Sequence, residues 1–512
     1  MCTIPYHSTF SLECIYFIAR AAGLSSGNRP AVLFSVTGRG FNAIINHAGN
    51  HPHGAGFGAR INRKDDQTLK IRLPATVKAI IDTLQAKGFE AYAVGGCVRD
   101  SILGRKPDDW DITTSARPEQ VKKIFQRTVD TGLAHGTVTV LLGSGVHEVT
   151  TYRIDGEYED SRHPRDVTFT ASLEEDLKRR DFTINAMAYN ETAGLVDLYG
   201  GMEDLQKRRI RCVGNPLDRF GEDALRIMRS VRFSAQLHFS IEKKTWEAVK
   251  VLAPTLSRIS AERICAELLK LLLSDHPEEL KTAWEAGITR VVLPEFDELM
   301  KTPQNNPHHC WNVGEHTLNS LCQVEADKVL RLTMLLHDMG KPACRTIDPE
   351  GIDHFKGHGE VSARMAEEIL RRLRMDHDTI QKVSKLTRYH DWRVEPAERN
   401  VRRAVNRMGR ELFPLLLKVQ TADTLAQSRW YREEKLDRIR KVRQVYRKIL
   451  EENQCVSLKE LAITGKDLIG LGMKPGPAIG EVLSGALEQV LEEPEKNTKE
   501  YLLDFCRKYR RK

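Results

Sequence analysis

The sequence lacks any apolar run close to the roughly 20 residues that a helix needs to cross a bilayer. It also lacks C-x-x-C pairs. Its ten cysteines are scattered, which argues against a zinc finger or a disulfide framework and favours a reducing, cytoplasmic setting. The first residues contain an apolar segment without a basic region before it or a clear cleavage site, so we do not expect a signal peptide.

A strong excess of one charge is also missing. Lys and Arg number 78 against 70 Asp and Glu, and the net charge of +8 permits a polyanionic partner without requiring one. What is present, 41% hydrophobic and 29% charged residues over 512 positions, is typical of a folded protein of several domains.

The hydrophobic pattern changes along the chain. Residues 1–72 show no sustained periodicity and are rich in Gly, His and Asn, so we expect a poorly ordered extension there. Residues 73–213 mix helical spacing with strand-like alternation, and from Pro216 onward the pattern is almost wholly helical. The predicted fold class is therefore α+β: a small mixed sheet with helices, followed by a long all-α region.

Three segments define the elements of the small α+β domain. PATVKAIIDTLQAKG has apolar residues at helical spacing and stops at Gly88. EAYAVGGCVRDSIL is typical of a strand, a Gly-Gly turn and a helix. HGTVTVLL and HEVTTYRI alternate β-branched residues and predict a hairpin across the turn at Gly143–Gly145.

The stretch DDWDITTSARPE, residues 108–119, places two carboxylates one residue apart where a strand is expected to begin. On a strand Asp109 and Asp111 would share one face, which is unfavourable unless a cation lies between them. An acidic surface turn is the alternative for an isolated D-x-D. Here Gly95, Gly96 and Arg99 precede it closely, and a Gly pair at a strand-to-helix turn lets backbone N–H groups and an arginine approach phosphate. Together, the Gly pair, Arg99 and the two carboxylates predict a Mg²⁺-dependent nucleotide site.

The segment FGEDALRIMRSVRF predicts a helix with a cationic face. Glu222 and Arg226 are four residues apart, and Arg229 and Arg232 follow at steps of three, so all four share one broad face. A solvated charged stripe is the alternative. Three arginines opposed by few acids favour a surface that meets phosphate.

The ordered motifs resemble the class II tRNA nucleotidyltransferase and poly(A) polymerase family. They are GGCVRD, DDWDITTSARPE, EDLKRRDFTINAMAYN, LVDLYGGMEDLQKRRIR and DRFGEDALRIMRSVRF. The resemblance runs from about residue 73 to the C-terminus and implies a head at 73–213, a neck and body at 214–300, a third helical region at 301–435 and a tail at 436–512. It is strongest to bacterial CCA-adding enzymes that carry an HD domain.

The resemblance also implies residue roles. Asp109 and Asp111 would hold Mg²⁺, and Asp223 and Arg226 would read the incoming base as a protein template. The remaining nucleotide-binding positions that it implies are Gly96, Arg99, Arg180, Arg229 and Arg232. Asp181 and Asn185 would shape the sugar pocket or the sheet edge.

The function implied is addition of CCA to the 3′ end of tRNA from CTP and ATP, with no membrane partner. The polar segment 153–169 resembles the family's flexible loop and favours complete CCA over CC alone. Lys466 and Lys474, in Gly-rich turns of the tail, are typical of phosphate contacts to tRNA. A CC-adding or poly(A) polymerase variant, and a non-catalytic RNA-binding module, are the alternatives.

A second group of chemical residues lies within 301–435. His337 and Asp338 are adjacent at the end of an apolar helix, where polar side chains need partners or a metal ion. An isolated His-Asp pair is more often structural, but other His and Asp residues accompany it. The order resembles the HD domain of metal-dependent phosphohydrolases, which implies a transition metal such as Mn, Ni, Fe or Zn. The implied ligands are His316, His337, Asp338 and Asp423, with His358 and His390 as further candidates.

Three more histidines, His308, His309 and His354, lie in the same loops and are interpreted as bystanders. A phosphohydrolase at this site as the main activity is a further alternative function.

Overall fold

The computed structural model describes residues 32–37, 40–45, 69–155 and 167–509, and the chain forms two compact units, Met1–Gln67 and Thr68–Lys512. In the first unit, strands β1 (Val32–Thr37) and β2 (Gly40–Ile45) pair antiparallel. The rest of the predicted N-terminal extension up to residue 68 lies outside the described residues.

The second unit begins with a seven-stranded mixed sheet, in the spatial order β11-β10-β3-β4-β7-β6-β5. Only β4 and β7 pair in parallel, and every other neighbouring pair is antiparallel. The seven strands are β3 (Ala91–Val94), β4 (Ile112–Thr114), β5 (Thr128–Gly132), β6 (Thr137–Leu142), β7 (Gly145–Thr151), β10 (Met187–Asn190) and β11 (Gly194–Asp197). A separate pair consists of β8 (Arg153–Asp155) and β9 (Val167–Phe169).

The predicted local elements of this region are confirmed. Strands β6 and β7 form the expected hairpin with Leu142 opposite Gly145, and the valines at 138, 140 and 149 are buried on the core face because side chains alternate. Helix α1 (Ala75–Ala86) buries positions 77, 80, 81 and 84, the stripe that its apolar spacing predicts. The other helices are α2 (Gly96–Ile102), α3 (Pro118–Ile124), α4 (Leu173–Lys178) and α5 (Gly201–Gln206).

The predicted continuous helix over FGEDALRIMRSVRF is wrong in one respect. It is divided into α6 (Pro216–Glu222) and α7 (Leu225–Leu237), because Asp223 leaves helical geometry at φ −137° and ψ 102°. The Asp223 carboxylate accepts a hydrogen bond from the backbone N–H of Leu225 at 3.0 Å, which caps the second helix. An Asp side chain that accepts a hydrogen bond from the backbone two residues ahead favours a turn over a continuous helix, which explains the break at Asp223.

The remainder is almost entirely helical, as expected. The long helices of the middle region are α8 (Lys243–Leu252), α9 (Ala261–Leu272), α12 (Pro294–Lys301), α13 (Val313–Leu321), α14 (Lys328–Leu336), α16 (His358–Arg372), α17 (His377–Tyr389) and α19 (Leu412–Ala426). Shorter ones are α10 (Leu280–Glu285), α11 (Thr289–Val292) and α15 (Lys341–Cys344). The C-terminal helices are α18 (Glu398–Met408), α20 (Arg432–Glu451), α21 (Gly465–Gly470), α22 (Pro477–Glu492) and α23 (Lys499–Tyr509), with α18 packing on α20.

Short strand pairs interrupt this helical region, which the apolar pattern did not indicate. They are β12 (Arg209–Ile210) with β13 (Ser240–Ile241), and β14 (Thr346–Ile347) with β15 (Asp353–His354). Each strand has two residues, too few for periodicity to reveal.

Two large hydrophobic cores stabilise the unit. One extends from Ile71 to Val383 and includes Val419 and Ala422, and the second joins Leu386 to Cys506. Among the described residues, no helix is both long and apolar enough to span a membrane.

Gly201 is the position where close packing of the head is most sensitive to an added methyl group. An ideal Cβ there would lie 2.4 Å from the Thr183 carbonyl oxygen and 2.9 Å from Met187. We expect Gly201→Ala to lower the free energy of unfolding by about 1–3 kcal/mol through overpacking, measured by urea denaturation. Gly480→Ala is the matched control, since Gly480 has no described neighbour within 4 Å and lies in a helix. Equal midpoints for the two variants would contradict this packing.

Candidate active site and metal centre

The two carboxylates of the D-x-D motif lie beside the central strand pair of the sheet. The expectation that both sit within a strand is wrong, because β4 begins at Ile112, one residue after Asp111. The backbone of Asp111 is still hydrogen-bonded to the sheet, because its carbonyl oxygen accepts the N–H of Val94 at 3.0 Å. This bond places Asp111 beside the last residue of β3, next to the Gly-Gly turn.

Asp109 and Asp111 are exposed, and neither side chain has a hydrogen bond or ion pair within the part of the chain that the structure describes. The surrounding protein displaces part of the hydration of Asp111, and the charge of Asp109 adds to this, so the pKa of Asp111 lies above its usual value although Arg180 opposes the shift. Uncompensated like charges of this kind fit a hard cation with oxygen ligands.

Glu148 is a third carboxylate at this place that the sequence reasoning missed. It lies on β7, whose parallel register with β4 pairs Ile112 with Val149, so Glu148 is adjacent to Asp111 across the two strands. Its charge also raises the pKa of Asp111. The alternation of HEVTTYRI places it on the face opposite the buried Val149, but the neighbouring strand could not be known without the topology.

The Gly-Gly turn is lined by two arginines. Gly95 has a φ of +84°, and a Cβ there would lie 3.0 Å from Nη1 of Arg180; a Cβ on Gly96 would lie 3.6 Å from Nη2 of Arg99. Glycine at position 95 therefore allows the Arg180 guanidinium to approach the turn, whereas a Cβ at position 96 would make only an ordinary contact with Arg99. The Nε of Arg180 is buried and has no hydrogen-bond partner among the described residues, so it is a donor available to a ligand.

Arg99 is held in a fixed orientation. Its Nε and Nη2 donate to the two carboxylate oxygens of Asp100 at 2.9 and 2.8 Å, and its Nη1 donates to Oδ1 of Asn185 at 2.7 Å. Its guanidinium also lies 5.1 Å from the centre of the Phe233 ring. Asn185, which the resemblance places at the sugar pocket or the sheet edge, therefore positions Arg99.

Asp181 links the sheet to helix α7. Its Oδ2 accepts Nε of Arg229 at 2.8 Å, and its Oδ1 accepts the Asn185 amide at 3.2 Å. Burial opposes ionisation, but the charge of Arg229 and these hydrogen bonds hold the pKa of Asp181 at about 2. Arg232, further along the helix, lies 2.7 Å from Oε2 of Glu267, and burial lowers its pKa to about 10.

The two predicted base-reading residues each have a protein partner. Asp223 Oδ2 accepts Nη2 of Arg263 at 2.9 Å. Arg226 donates to Glu222 at 2.6 Å, as the i,i+4 spacing predicts, and to the carbonyl oxygen of Arg179 at 2.9 Å. At the break before α7, Asp223 therefore offers a hydrogen-bond acceptor and Arg226 a forked donor, and an ion pair holds each side chain in place.

Asp176 joins these parts and was not singled out from the sequence. It is fully buried, and its Oδ1 accepts both Nε and Nη2 of Arg179 at 3.0 and 2.8 Å. Its Oδ2 lies 3.4 Å from Arg180 and 3.1 Å from the Thr113 hydroxyl on β4. One carboxylate thus connects the strand that follows the D-x-D motif with the arginines of the RRD segment.

The predicted ligands of the second group converge in a buried cluster between helices. Nε2 of His316 lies 2.9 Å from Oδ1 of Asp423 and 3.3 Å from Nε2 of His337, and Nε2 of His337 is 3.1 Å from Oδ2 of Asp338. Nδ1 of His337 faces the Met334 carbonyl oxygen at 2.8 Å, an arrangement that leaves Nε2 for a metal ion.

The two further candidates complete a second group around the same carboxylate. Nε2 of His358 lies 3.1 Å from Nε2 of His390, and both are 3.5–3.6 Å from Oδ1 of Asp338. Either group, His316 with His337 and Asp338, or Asp338 with His358 and His390, has the spacing to hold a metal ion. Asp338 would offer one oxygen to each.

The charges of this cluster are balanced within the protein. Lys341 Nζ lies 2.8 Å from Oδ2 of Asp338, although neither Asp338 oxygen has a hydrogen bond of good geometry. Burial opposes protonation of His337, but Asp338 and Asp423 raise its pKa to about 10. Burial also opposes ionisation of the two carboxylates, but His337 and Lys341 hold the pKa of Asp338 well below its usual value, and His316 and His337 do the same for Asp423. Orphaned buried oxygens among imidazoles fit a transition metal.

The bystander histidines differ in position. His309 is buried against His316, with ring centres 5.0 Å apart, and burial lowers its pKa to about 2. His308 lies 3.4 Å from Lys435, and His354 is exposed and paired with Asp348. None of the three belongs to either metal-spaced group among the described residues.

The chain is similar to known proteins over most of its length. It is 35% identical to the CCA-adding enzyme of Enterococcus faecalis over 436 residues, which cover 85% of this chain and 95% of that protein. The chain belongs to the CCA-adding enzymes. These are tRNA nucleotidyltransferases of the poly(A) polymerase family.

Other comparisons agree with membership in the CCA-adding enzymes. The chain is 34% identical to the CCA-adding enzyme of Lactiplantibacillus plantarum over 440 residues, 85% of this chain and 97% of that protein. It superposes on the crystal structure of the Bacillus stearothermophilus CCA-adding enzyme in complex with CTP with a TM-score of 0.65 and 30% identity, covering 85% of this chain and 97% of that one.

Three family models match in order along the chain. They are the poly A polymerase head domain at residues 91–211, the probable RNA and SrmB-binding site of polymerase A at 238–300, and tRNA nucleotidyltransferase domain 2 (putative) at 358–506. The first contains the D-x-D motif and the RRD segment.

The Asp181–Arg229 pair generates a pH-dependent prediction. Because the pKa of Asp181 in the folded protein lies below its usual value of 3.8, the pair stabilises the fold above that pH and the contribution is lost as pH falls toward 2. We expect Asp181→Asn to lower the free energy of unfolding by about 2 kcal/mol at pH 7. Urea denaturation at pH 7, 5 and 3.5 should show the difference from wild type narrowing only at the lowest pH. A constant difference at all three pH values would exclude this ionisation as the cause.

Proposed function

We propose that the protein adds CCA to the 3′ end of tRNA from CTP and ATP, with the D-x-D carboxylates and the Gly-Gly turn as its reaction centre. The observation that carries the proposal is the unpaired Asp109 and Asp111 beside a glycine turn lined by Arg99 and Arg180, in a head of the poly A polymerase type. Attack by the 3′ hydroxyl of the RNA on the nucleotide α-phosphate would release pyrophosphate.

Asp109 and Asp111 would hold Mg²⁺, with Glu148 adjacent. Mg²⁺ prefers oxygen ligands, and when bound it neutralises triphosphate charge and lowers the pKa of a hydroxyl. The three carboxylates fit this ion because the described protein supplies no cation close enough to pair with Asp109 or Asp111.

The chain's own residues would orient the nucleotide. Arg180 presents an unsatisfied Nε at the turn, and Arg99 is fixed by Asp100 and Asn185, so both suit the triphosphate. Asp223 and Arg226 would read the base edge with an acceptor and a forked donor. A base bound to Asp223 would compete with Arg263 for the carboxylate. Because the Asp223–Arg263 ion pair is partly exposed, replacing it would cost little free energy.

Complete CCA addition remains the preferred outcome over CC alone. The loop that supports it covers residues 153–169, of which 156–166 lie outside the described residues. The described ends, β8 and β9, pair antiparallel, and Arg153 opposes Phe169, so the segment leaves and rejoins the head at one place. Helices α21 and α22 of the tail, with Lys466 and Lys474 near them, would contact tRNA phosphates.

The first test supplies purified protein with tRNA that ends before CCA, together with Mg²⁺ and CTP, ATP or both. We expect C, C and A to be added, and Asp109→Asn/Asp111→Asn to lower the rate on the order of a thousandfold because the cation ligands are removed. Extension is measured on sequencing gels.

Asp108→Asn is the control for that experiment, since Asp108 is an exposed neighbour outside the i,i+2 pair. It should extend tRNA at the wild-type rate. Product ending at CC would restrict the proposal to partial addition, and equal losses for Asp108→Asn and the double variant would exclude the pair as the metal site.

A second proposed function is metal-dependent hydrolysis of phosphate esters at the histidine cluster. It is supported by the two imidazole groups around Asp338 and by the buried, unsatisfied Asp338 oxygens. A bound transition metal would supply a hydroxide nucleophile near neutral pH. His316, His337, His358, His390, Asp338 and Asp423 would hold it, and Lys341 would stabilise the negative charge beside it.

Metal binding at the cluster can be measured apart from the head in the Asp109→Asn/Asp111→Asn background. We expect the full-length protein to bind Mn²⁺ in equilibrium dialysis, and His337→Ala to weaken binding on the order of a hundredfold through loss of a ligand. His354→Ala, which changes an exposed histidine, should bind Mn²⁺ like the parent. Identical binding by His337→Ala and the parent would remove the cluster as a metal site.

A further inference from the structure

The ring of Phe233 lies where helix α7 meets the head. It is buried on α7, and the ring of Phe182, the residue after the RRD segment, packs against it with ring centres 5.7 Å apart and planes at 83°. Both phenylalanines belong to the larger hydrophobic core. A buried phenylalanine usually contributes packing alone, so any further role must come from the polar groups around its ring.

Three guanidinium groups lie over this ring. The Cζ atoms of Arg232, Arg99 and Arg229 are 3.9, 5.1 and 5.4 Å from the ring centre. Arg229 and Arg232 are on the same helix as Phe233, whereas Arg99 comes from α2 in the head. The other cation–aromatic contacts between described residues each join one cation to one ring. The family resemblance implies nucleotide binding for all three of these arginines.

Each of the three arginines also has a carboxylate partner. The pairs are Arg99 with Asp100, Arg229 with Asp181, and Arg232 with Glu267. A guanidinium donates to a carboxylate in the plane of its N–H groups and meets an aromatic ring with its flat face. The carboxylate therefore fixes the direction of the group and the ring fixes its plane. The ring matters most for Arg232, which lies closest to it and whose Nε lacks a hydrogen bond of good geometry.

The ring gathers these cations without neutralising them. Burial lowers the pKa of Arg232 to about 10, although the charge of Glu267 opposes the shift. The like charges of Arg229 and Arg99 also lower this pKa, because the three groups repel one another. An aromatic face attracts a cation through its quadrupole but carries no net charge. The ring therefore offsets the repulsion without adding a negative charge that would repel a phosphate chain.

We propose that Phe233 is a positioning residue for the nucleotide: its ring holds Arg99, Arg229 and Arg232 in the arrangement that binds the triphosphate shared by CTP and ATP. The inference rests on the proposed nucleotide site and adds to it an apolar side chain that acts through the arginines. Because one arginine comes from the head and two come from α7, the ring also fixes the positions of the two elements relative to the same phosphates.

The test changes the ring in two ways in the full-length protein. Phe233→Leu removes the aromatic face, and trifluorophenylalanine at position 233 keeps the shape of the ring while fluorine withdraws electron density from its face. Steady-state kinetics are measured with CTP and tRNA that ends before CCA, and with ATP and tRNA that ends in CC. We expect the KM for both nucleotides to rise, about tenfold for Phe233→Leu and about threefold for the fluorinated ring, with kcat within about twofold of wild type.

Phe296→Leu is the matched control for loss of a buried ring. Phe296 is fully buried in α12, and no cation of the described chain lies over its ring. Urea denaturation should show lower stability for both leucine variants, because each leaves a cavity. The KM for nucleotides should rise only for Phe233→Leu, and the KM for tRNA should stay at the wild-type value in both. The fluorinated protein serves as the folded variant if Phe233→Leu does not fold.

Nucleotide binding without RNA separates this inference from the proposed function. CTP and ATP are titrated by calorimetry into the wild-type protein and both position-233 variants, with Mg²⁺ and no tRNA. Weaker binding of both nucleotides by the variants would support the role of Phe233 even if the wild-type protein did not extend tRNA, a result that would remove CCA addition instead.

Three results would overturn the inference while CCA addition stands. The first is an unchanged KM for both nucleotides in the position-233 variants, or an equal rise in Phe296→Leu. The second is a rise in Phe233→Leu without any rise for the fluorinated ring, which would assign the effect to packing. The third is a rise confined to CTP or to ATP, which would exclude the shared triphosphate as the group that the arginines bind.

Discussion

Two buried carboxylates hold the arginines around the Gly-Gly turn and on helix α7 in place. Asp176 pairs with Arg179 and Arg180, and Asp181 pairs with Arg229 while binding the amide that orients Arg99. A guanidinium cannot be buried without a partner at reasonable cost. Because each carboxylate contacts residues from separate elements, the positions of the sheet, the RRD segment and helix α7 are fixed together. Glycine at position 95 then leaves room for Arg180 at the turn.

In contrast to these paired groups, Asp109 and Asp111 are like charges that form no ion pair with the described residues. The paired arginines give the site its shape. The unpaired carboxylates define where a cation would bind, because two neighbouring like charges cost free energy until a ligand of opposite charge is bound.

Local patterns predicted local structure well. The hairpin around Gly143, helix α1 and the Gly-Gly turn follow from side-chain period and glycine placement, which act within a few residues. The break at Asp223 was missed because apolar spacing does not reveal a side chain that bonds the nearby backbone. The start of β4 after Asp111 was missed because apolar spacing locates a strand without fixing its first residue. Glu148 and Asp176 were also missed, because their roles depend on strand pairing and on contacts between residues far apart in sequence. The histidine cluster was predicted by its motif order, but its division around the two oxygens of Asp338 required the three-dimensional arrangement.

The contacts of the histidine cluster indicate that a metal ion bound there would not be required to hold its domain together. Many small metal-binding domains, whose ligands have no partner other than the metal, unfold when the metal is removed. Here Nζ of Lys341 lies 2.8 Å from Asp338, Nε2 of His337 lies 3.1 Å from Asp338, and Nε2 of His316 lies 2.9 Å from Asp423, so both carboxylates have partners within the protein itself. The apolar helices α14 and α16 contribute Met334, Leu335, Ile369 and Leu370 to the core, independently of the cluster. A metal ion at the cluster would therefore compete with contacts that the protein already makes, and the surrounding helical core would not depend on it for packing.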